Sequence, residues 1–189
     1  MAKRKEIPIP MTVKDSAINI SGNVTVKVKN GNRVIKNLKI NNAGTQRLFF
    51  GILQFIRGDY LTSSGGMSSY IPNYLSVGSQ QPPTPTDITM GGLIEEIDTG
   101  ERARAIPNGI SLDLATNKVF LTLTALVPYS SVGDTWISEL GLFSSKDIGT
   151  NTMLARVTLP KLSEIEQYGV KLEQGHSLFV QWTLNIQNV

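Results

Sequence analysis

Ala17-Ile18-Asn19-Ile20-Ser21-Gly22-Asn23-Val24-Thr25-Val26-Lys27-Val28-Lys29, followed by Asn30-Gly31, decides the fold class. Ile18, Ile20, Val24, Val26 and Val28 fall on one parity; Asn19, Asn23, Thr25, Lys27 and Lys29 fall on the other. A period of two is the pattern of a strand with one buried and one solvated face. Asn30-Gly31 marks a tight turn, because both residues tolerate positive φ. Arg33 to Ile40 then returns as the second arm of a hairpin.

The same period recurs downstream. Val119, Leu121, Leu123, Ala125 and Val127 alternate with Phe120, Thr122 and Thr124. Trp136, Ser138, Leu140 and Leu142 form another strand face, and Met153, Ala155, Val157 and Leu159 a third. Leu178, Val180, Trp182, Leu184 and Ile186 form the last, and Tyr74 to Gly78 reads as a short buried strand. One helix is expected at about 45–58, where Leu48, Phe49, Ile52, Leu53 and Ile56 make an apolar stripe. Thr45 can cap its start and Gly58 can end it. Residues 59–72 and the Pro-rich 81–87 read as connections, and 88–99 is ambiguous, with a short helix over 93–97 as one option. The expected fold is mainly β: an antiparallel β-sandwich with one amphipathic helix and an extended N-terminal arm. The arm covers residues 1–15, and 16–189 form a single sandwich domain.

Composition narrows the chemistry. The 189 residues are 40% hydrophobic and 17% charged, enough to bury a core. With no cysteine and one histidine, disulfides, thiol nucleophiles and zinc sites built on thiolates or several histidines are excluded. The net charge of +3 is short of a nucleic-acid-binding excess. Glu6 and two prolines follow the basic start, where a signal peptide would need an apolar run. The longest apolar stretch, Leu48 to Ile56, falls far below the roughly 20 residues that span a bilayer. A soluble protein made in a cytoplasm is expected, with no membrane span and no nucleic-acid partner.

No catalytic constellation is visible. His176 follows the turn Glu173-Gln174-Gly175, and no Gly-x-Ser-x-Gly elbow accompanies it, so an exposed turn histidine is expected. Glu95, Glu96, Asp98 and Glu101 cluster, but their spacing fits no metal loop and reads as a solvated acidic edge. Trp136 and Trp182 alternate with core residues and are expected to be buried rather than to stack sugars. Lys27, Lys29, Lys36 and Lys39 read as a solvated face or a guarded edge. No enzyme activity, metal or cofactor is expected.

The candidate interface is the arm. Lys3, Arg4, Lys5, Ile7, Pro8, Ile9, Pro10 and Met11 combine charge with apolar residues that join no helical stripe, and proline cannot serve a central strand. Burial against a neighbouring subunit would offset the ordering entropy of such a segment. Glu139, opposite in phase to Leu140, is expected at a rim or interface.

Several segments, in order, point to something more specific: Asn41-Asn42-Ala43-Gly44-Thr45, then Tyr74-Leu75-Ser76-Val77-Gly78-Ser79, then Thr84-Pro85-Thr86-Asp87 and Glu101-Arg102. Ile137-Ser138-Glu139-Leu140-Gly141-Leu142-Phe143 follows, then Met153-Leu154-Ala155-Arg156-Val157-Thr158-Leu159-Pro160, and finally Leu178 to Leu184. Over roughly residues 35–187 the chain resembles a recurrent module of tailed-bacteriophage virion proteins, seen in tail-fibre, collar and adaptor components. The Asp59–Asn73 insertion and the Ile-Pro-Ile-Pro arm depart from it. The resemblance implies a structural part of the virion that links tail, collar, baseplate or fibre components and contacts copies of itself and other virion proteins. Two alternatives stand beside it. One is a capsid decoration or head-fibre protein. The other is a carbohydrate-binding module for a host-surface glycan, using Tyr60, Tyr70 and Tyr74.

Overall fold

The computed structural model describes residues 18–44, 48, 71–85, 89–113, 115, 118–163 and 166–188. The arm at 1–15 and nearly all of the helix expected at 45–58 lie outside them; Leu48 alone of that helix is described, helical and buried. Eleven strands are described: β1 (Ile18–Asn30), β2 (Arg33–Gly44), β3 (Tyr74–Gly78), β4 (Ala103–Arg104), β5 (Ile106–Asp113), β6 (Lys118–Pro128), β7 (Trp136–Ile137), β8 (Glu139–Phe143), β9 (Met153–Thr158), β10 (Val170–Lys171) and β11 (His176–Asn188). Nine form one hydrogen-bonded ribbon, in the order β4-β3-β8-β9-β2-β1-β11-β6-β5. Every pairing is antiparallel.

The ribbon folds over on itself. β2 runs beside β1 as far as Asn42, then Ala43 and Gly44 pair with Arg156 and Ala155 of β9. A strand that leaves one sheet for the other makes a corner. The two ends of the ribbon are also one stretch of chain. β4 pairs with β3 and β5 with β6, and buried Ala105 joins them. The result is a mainly-β sandwich crossed by the chain at both sides. Sheet A holds β2, β1, β11, β6 and β5; sheet B holds β9, β8, β3 and β4.

Alternation accounts for the core. Across sheet A, Val24, Trp182 and Leu123 stand in one row, Val26, Val180 and Ala125 in the next, and Val28, Leu178 and Val127 in the third. Across sheet B, Val77, Leu140 and Val157 stand in one row and Leu75, Leu142 and Ala155 in another. All belong to one buried cluster. Gly31 takes φ 55 in the hairpin turn, where Asn30 pairs with Arg33. The strands of sheet A run to 13 residues, longer than the short strands expected.

Sheet B differs from a half-solvated sheet, because all five residues of β8 are buried. Its outer face is covered by described parts of the chain between β3 and β4: Thr84 accepts from Arg156, Gly91 accepts the Met153 amide, Leu93 approaches Gly141 and Arg102 lies over the Phe143 ring. The helix considered for 93–97 does not form. The backbone there bonds the edge of β3 instead, Ser79 N–H donating to the Glu95 carbonyl and Ile97 N–H to the Val77 carbonyl.

Candidate functional site

Two features stand out: a layer of buried charge on the outer face of sheet B, and an open edge on sheet A. The layer begins with Glu139 and Arg156, both with fully buried side chains. Arg156 Nε donates to Glu139 Oε2 at 2.8 Å and Nη2 donates to the same oxygen. Arg156 Nη1 donates to the Thr84 carbonyl at 2.7 Å, fastening the Pro-rich connection to the sheet. Glycine makes room for Glu139, whereas at Gly141 a Cβ would meet the Phe143 ring and Leu93 rather than Arg156. Glu139 stands opposite Gly78 on β3, and Arg156 opposite Gly141 on β8. A Cβ on Gly78 would sit 2.8 Å from Glu139 Oε1, inside van der Waals contact. Glu139 is therefore not at a rim. It was expected there because alternation assigns the second face of a strand to solvent, and here a connection covers that face.

Arg102 is a second staple. Its side chain is fully buried and grips Glu96 with two bonds, Nε to Oε1 at 2.7 Å and Nη2 to Oε2 at 3.0 Å. Its Nη1 donates to Thr150 Oγ1, Thr152 Oγ1 and the Ser145 carbonyl, and its guanidinium lies 3.6 Å from the Phe143 ring centroid. Gly149 N–H also donates to Glu96. Burial alone would raise the Glu96 carboxyl; the Arg102 hydrogen bond and charge and the Gly149 amide outweigh it and hold the group below its usual value. The device locks the β8–β9 loop to the segment before β4.

The acidic cluster thus comes apart. Glu96 serves Arg102, Glu101 pairs with Lys146, Asp98 accepts the Gly100 amide, and Glu95 lies 3.4 Å from Ser79 Oγ. Among the described residues no three of the His, Asp and Glu side chains converge in a way that would hold a metal ion.

Other expected positions resolve individually. Lys3, Arg4, Lys5, Ile7, Pro8, Ile9, Pro10, Met11, Tyr60 and Tyr70 lie outside the described residues. His176 is packed rather than exposed: its side chain is 10% exposed and Nδ1 accepts the Glu173 amide at 3.2 Å. Trp182 is core, 1% exposed, whereas Trp136 is half-buried. Tyr74 is half-buried in β3 with Arg104 over its ring. Lys27 and Lys29 lie on β1, which is flanked by β2 and β11, so they guard no edge. Lys29 covers the Phe179 ring and Lys36 approaches Glu166.

The open edge was not read from the sequence. β5 pairs with β6 on one side, and no described strand pairs with the other. Ile106, Ile110 and Leu112 are 59%, 76% and 60% exposed. Pro107 and Gly109 interrupt the alternation that would have revealed the strand, and the ladder shifts register between them.

In comparison with known proteins, no family model, no curated protein and no solved structure matches the chain.

Proposed function

We propose that this chain is a non-enzymatic structural component of a tailed-phage particle, linking or adapting tail, collar or baseplate and fibre parts through protein–protein contacts. One observation carries the reading. The separated segments on which the resemblance rests come together as neighbours, with Tyr74–Gly78, Glu139–Phe143 and Met153–Thr158 forming adjacent strands in that order. Their polar residues are spent on holding the fold. Gly78 makes room for Glu139, Glu139 holds Arg156, and Arg102 holds Glu96. A pattern that maintains a rigid sandwich, with its charges locked inside, suits a building block more than a reaction centre.

The exposed apolar residues of β5 support the same reading, since an uncovered apolar edge suits assembly. Of the tyrosines named for the glycan alternative, Tyr74 is half-buried in β3 with Arg104 over its ring, while Tyr60 and Tyr70 lie outside the described residues. No helix among the described residues is long and apolar enough to cross a membrane.

The test is to assemble particles without this chain and inspect them by electron microscopy. Particles lacking a tail, collar, baseplate or fibre feature are expected, restored when the chain is supplied. Complete particles of full infectivity would overturn the proposal.

A further inference from the structure

We propose that β5 is a self-pairing edge: two copies of this chain join antiparallel along Gly109–Asp113, about a two-fold axis at Ser111, and continue sheet A across the interface. The inference goes beyond the particle reading and holds independently of it.

No described strand pairs with the outer edge of β5, and free edges of this kind are ordinarily guarded by lysine, proline, bulges or brevity. On β5 the guards are confined to its start. Pro107 and the register shift between Pro107 and Gly109 blunt the first half, while Gly109 to Asp113 pairs regularly with Thr122 to Lys118. The strand carries no cation, and its one charge is Asp113. Exposure rises along the row Leu184, Leu121, Ile110 towards the edge, from buried through half-buried to 76%. The neighbouring row ends in exposed Val119 and Leu112. Sheet A therefore carries its apolar inner face out to an edge where it stops.

A second copy fits this edge because the sequence is self-complementary in one register. Antiparallel pairing of a strand with itself is two-fold, so each contact occurs twice. With Ser111 opposite Ser111 of the second copy, Ile110 meets Leu112 and Leu112 meets Ile110 on the inner face. Asp113 meets Gly109, so no like charges are opposed. Shifting the centre to Ile110 draws Pro107 and the bulge into the ladder, and shifting it to Leu112 shortens the regular pairing to three residues. A shift by one residue sets apolar side chains against polar ones, since directly opposed residues share a face.

The chain contains no cysteine, so one introduced thiol reports on this contact alone. Directly opposed residues of an antiparallel pair have Cα atoms about 4.5–5.5 Å apart, within disulfide reach. Ser111→Cys should form a covalent dimer under mild oxidation at least tenfold faster than Ser21→Cys, an exposed position on β1, at equal concentration. Adding Ile110→Lys and Leu112→Lys to Ser111→Cys should return the rate to that of Ser21→Cys. Because both side chains are exposed, the melting temperature should be unchanged at dilutions where the chain is monomeric, which separates loss of pairing from loss of fold. Equal rates for Ser111→Cys and Ser21→Cys would overturn the proposal, as would fast cross-linking that survives the two lysines.

Discussion

Arg156 stands opposite Gly141 across the β8–β9 ladder, yet donates to Glu139, two residues along the same strand, with both charges removed from water. The pair therefore lies along the sheet surface beneath the Pro-rich connection, which Arg156 also binds through Thr84. Oε1 of Glu139 has no hydrogen-bond partner among the described residues. Desolvating such a pair offsets much of its mutual attraction, while removing one partner leaves an uncompensated buried charge. Glu139→Ala or Arg156→Ala should each cost about 3–5 kcal/mol. Glu139→Leu combined with Arg156→Met should recover most of that loss. Urea unfolding of the four proteins checks this, and additive losses in the double variant would contradict it.

Gly78 provides the second prediction. Its substitution by alanine places a methyl carbon within 3.0 Å of the carboxyl and Cγ of Glu139, a fully buried side chain held by Arg156. Overpacking of this kind costs about 1–3 kcal/mol. In a Glu139→Ala background the same substitution should cost far less, because the obstructing atoms are gone. A double-mutant cycle by denaturant unfolding measures the difference. Equal costs in both backgrounds would show that Gly78 serves another purpose.

Trp182 lies in the central row of sheet A, between Val24 and Leu123. Trp182→Ala should cost about 3–5 kcal/mol, the range for emptying a large aromatic site. An unchanged melting temperature would mean that the tryptophan is solvated and would return weight to sugar stacking.

The Glu96–Arg102 staple predicts a pH dependence. Because the folded-state carboxyl is held below its ordinary value of 4.5, its contribution is fully present above that pH and is lost as pH falls through the folded value. The wild-type melting temperature should drop between pH 5 and 3 more steeply than that of Glu96→Gln, which should already be lower at pH 6. Parallel curves would contradict the assignment.

How much of this was legible in the sequence follows from which faces meet water. β1, β6 and β11 have one buried and one more polar face, so Val24, Leu123 and Trp182 were identified as core by period alone. β8 and β9 are buried on both faces, so the same rule placed Glu139 outside. The sequence signal that corrects it is Arg156, a cation in the middle of Met153-Leu154-Ala155-Arg156-Val157, a run with no other polar residue. β5 was missed because Pro107 and Gly109 hide its alternation. His176 was misjudged because a turn residue can still be packed by its own turn, here through the Glu173 amide. The sheet crossings at Gly44 and Ala105 leave no local mark, since they depend on which strands lie across the core.

The central claim is that this chain is a stoichiometric building block of a tailed-phage particle. Quantitative mass spectrometry of gradient-purified particles tests it most directly. The account predicts the chain at a fixed copy number relative to the major tail and capsid proteins, retained through high-salt washing. Absence from purified particles, with the chain recovered only from the host lysate, would contradict it.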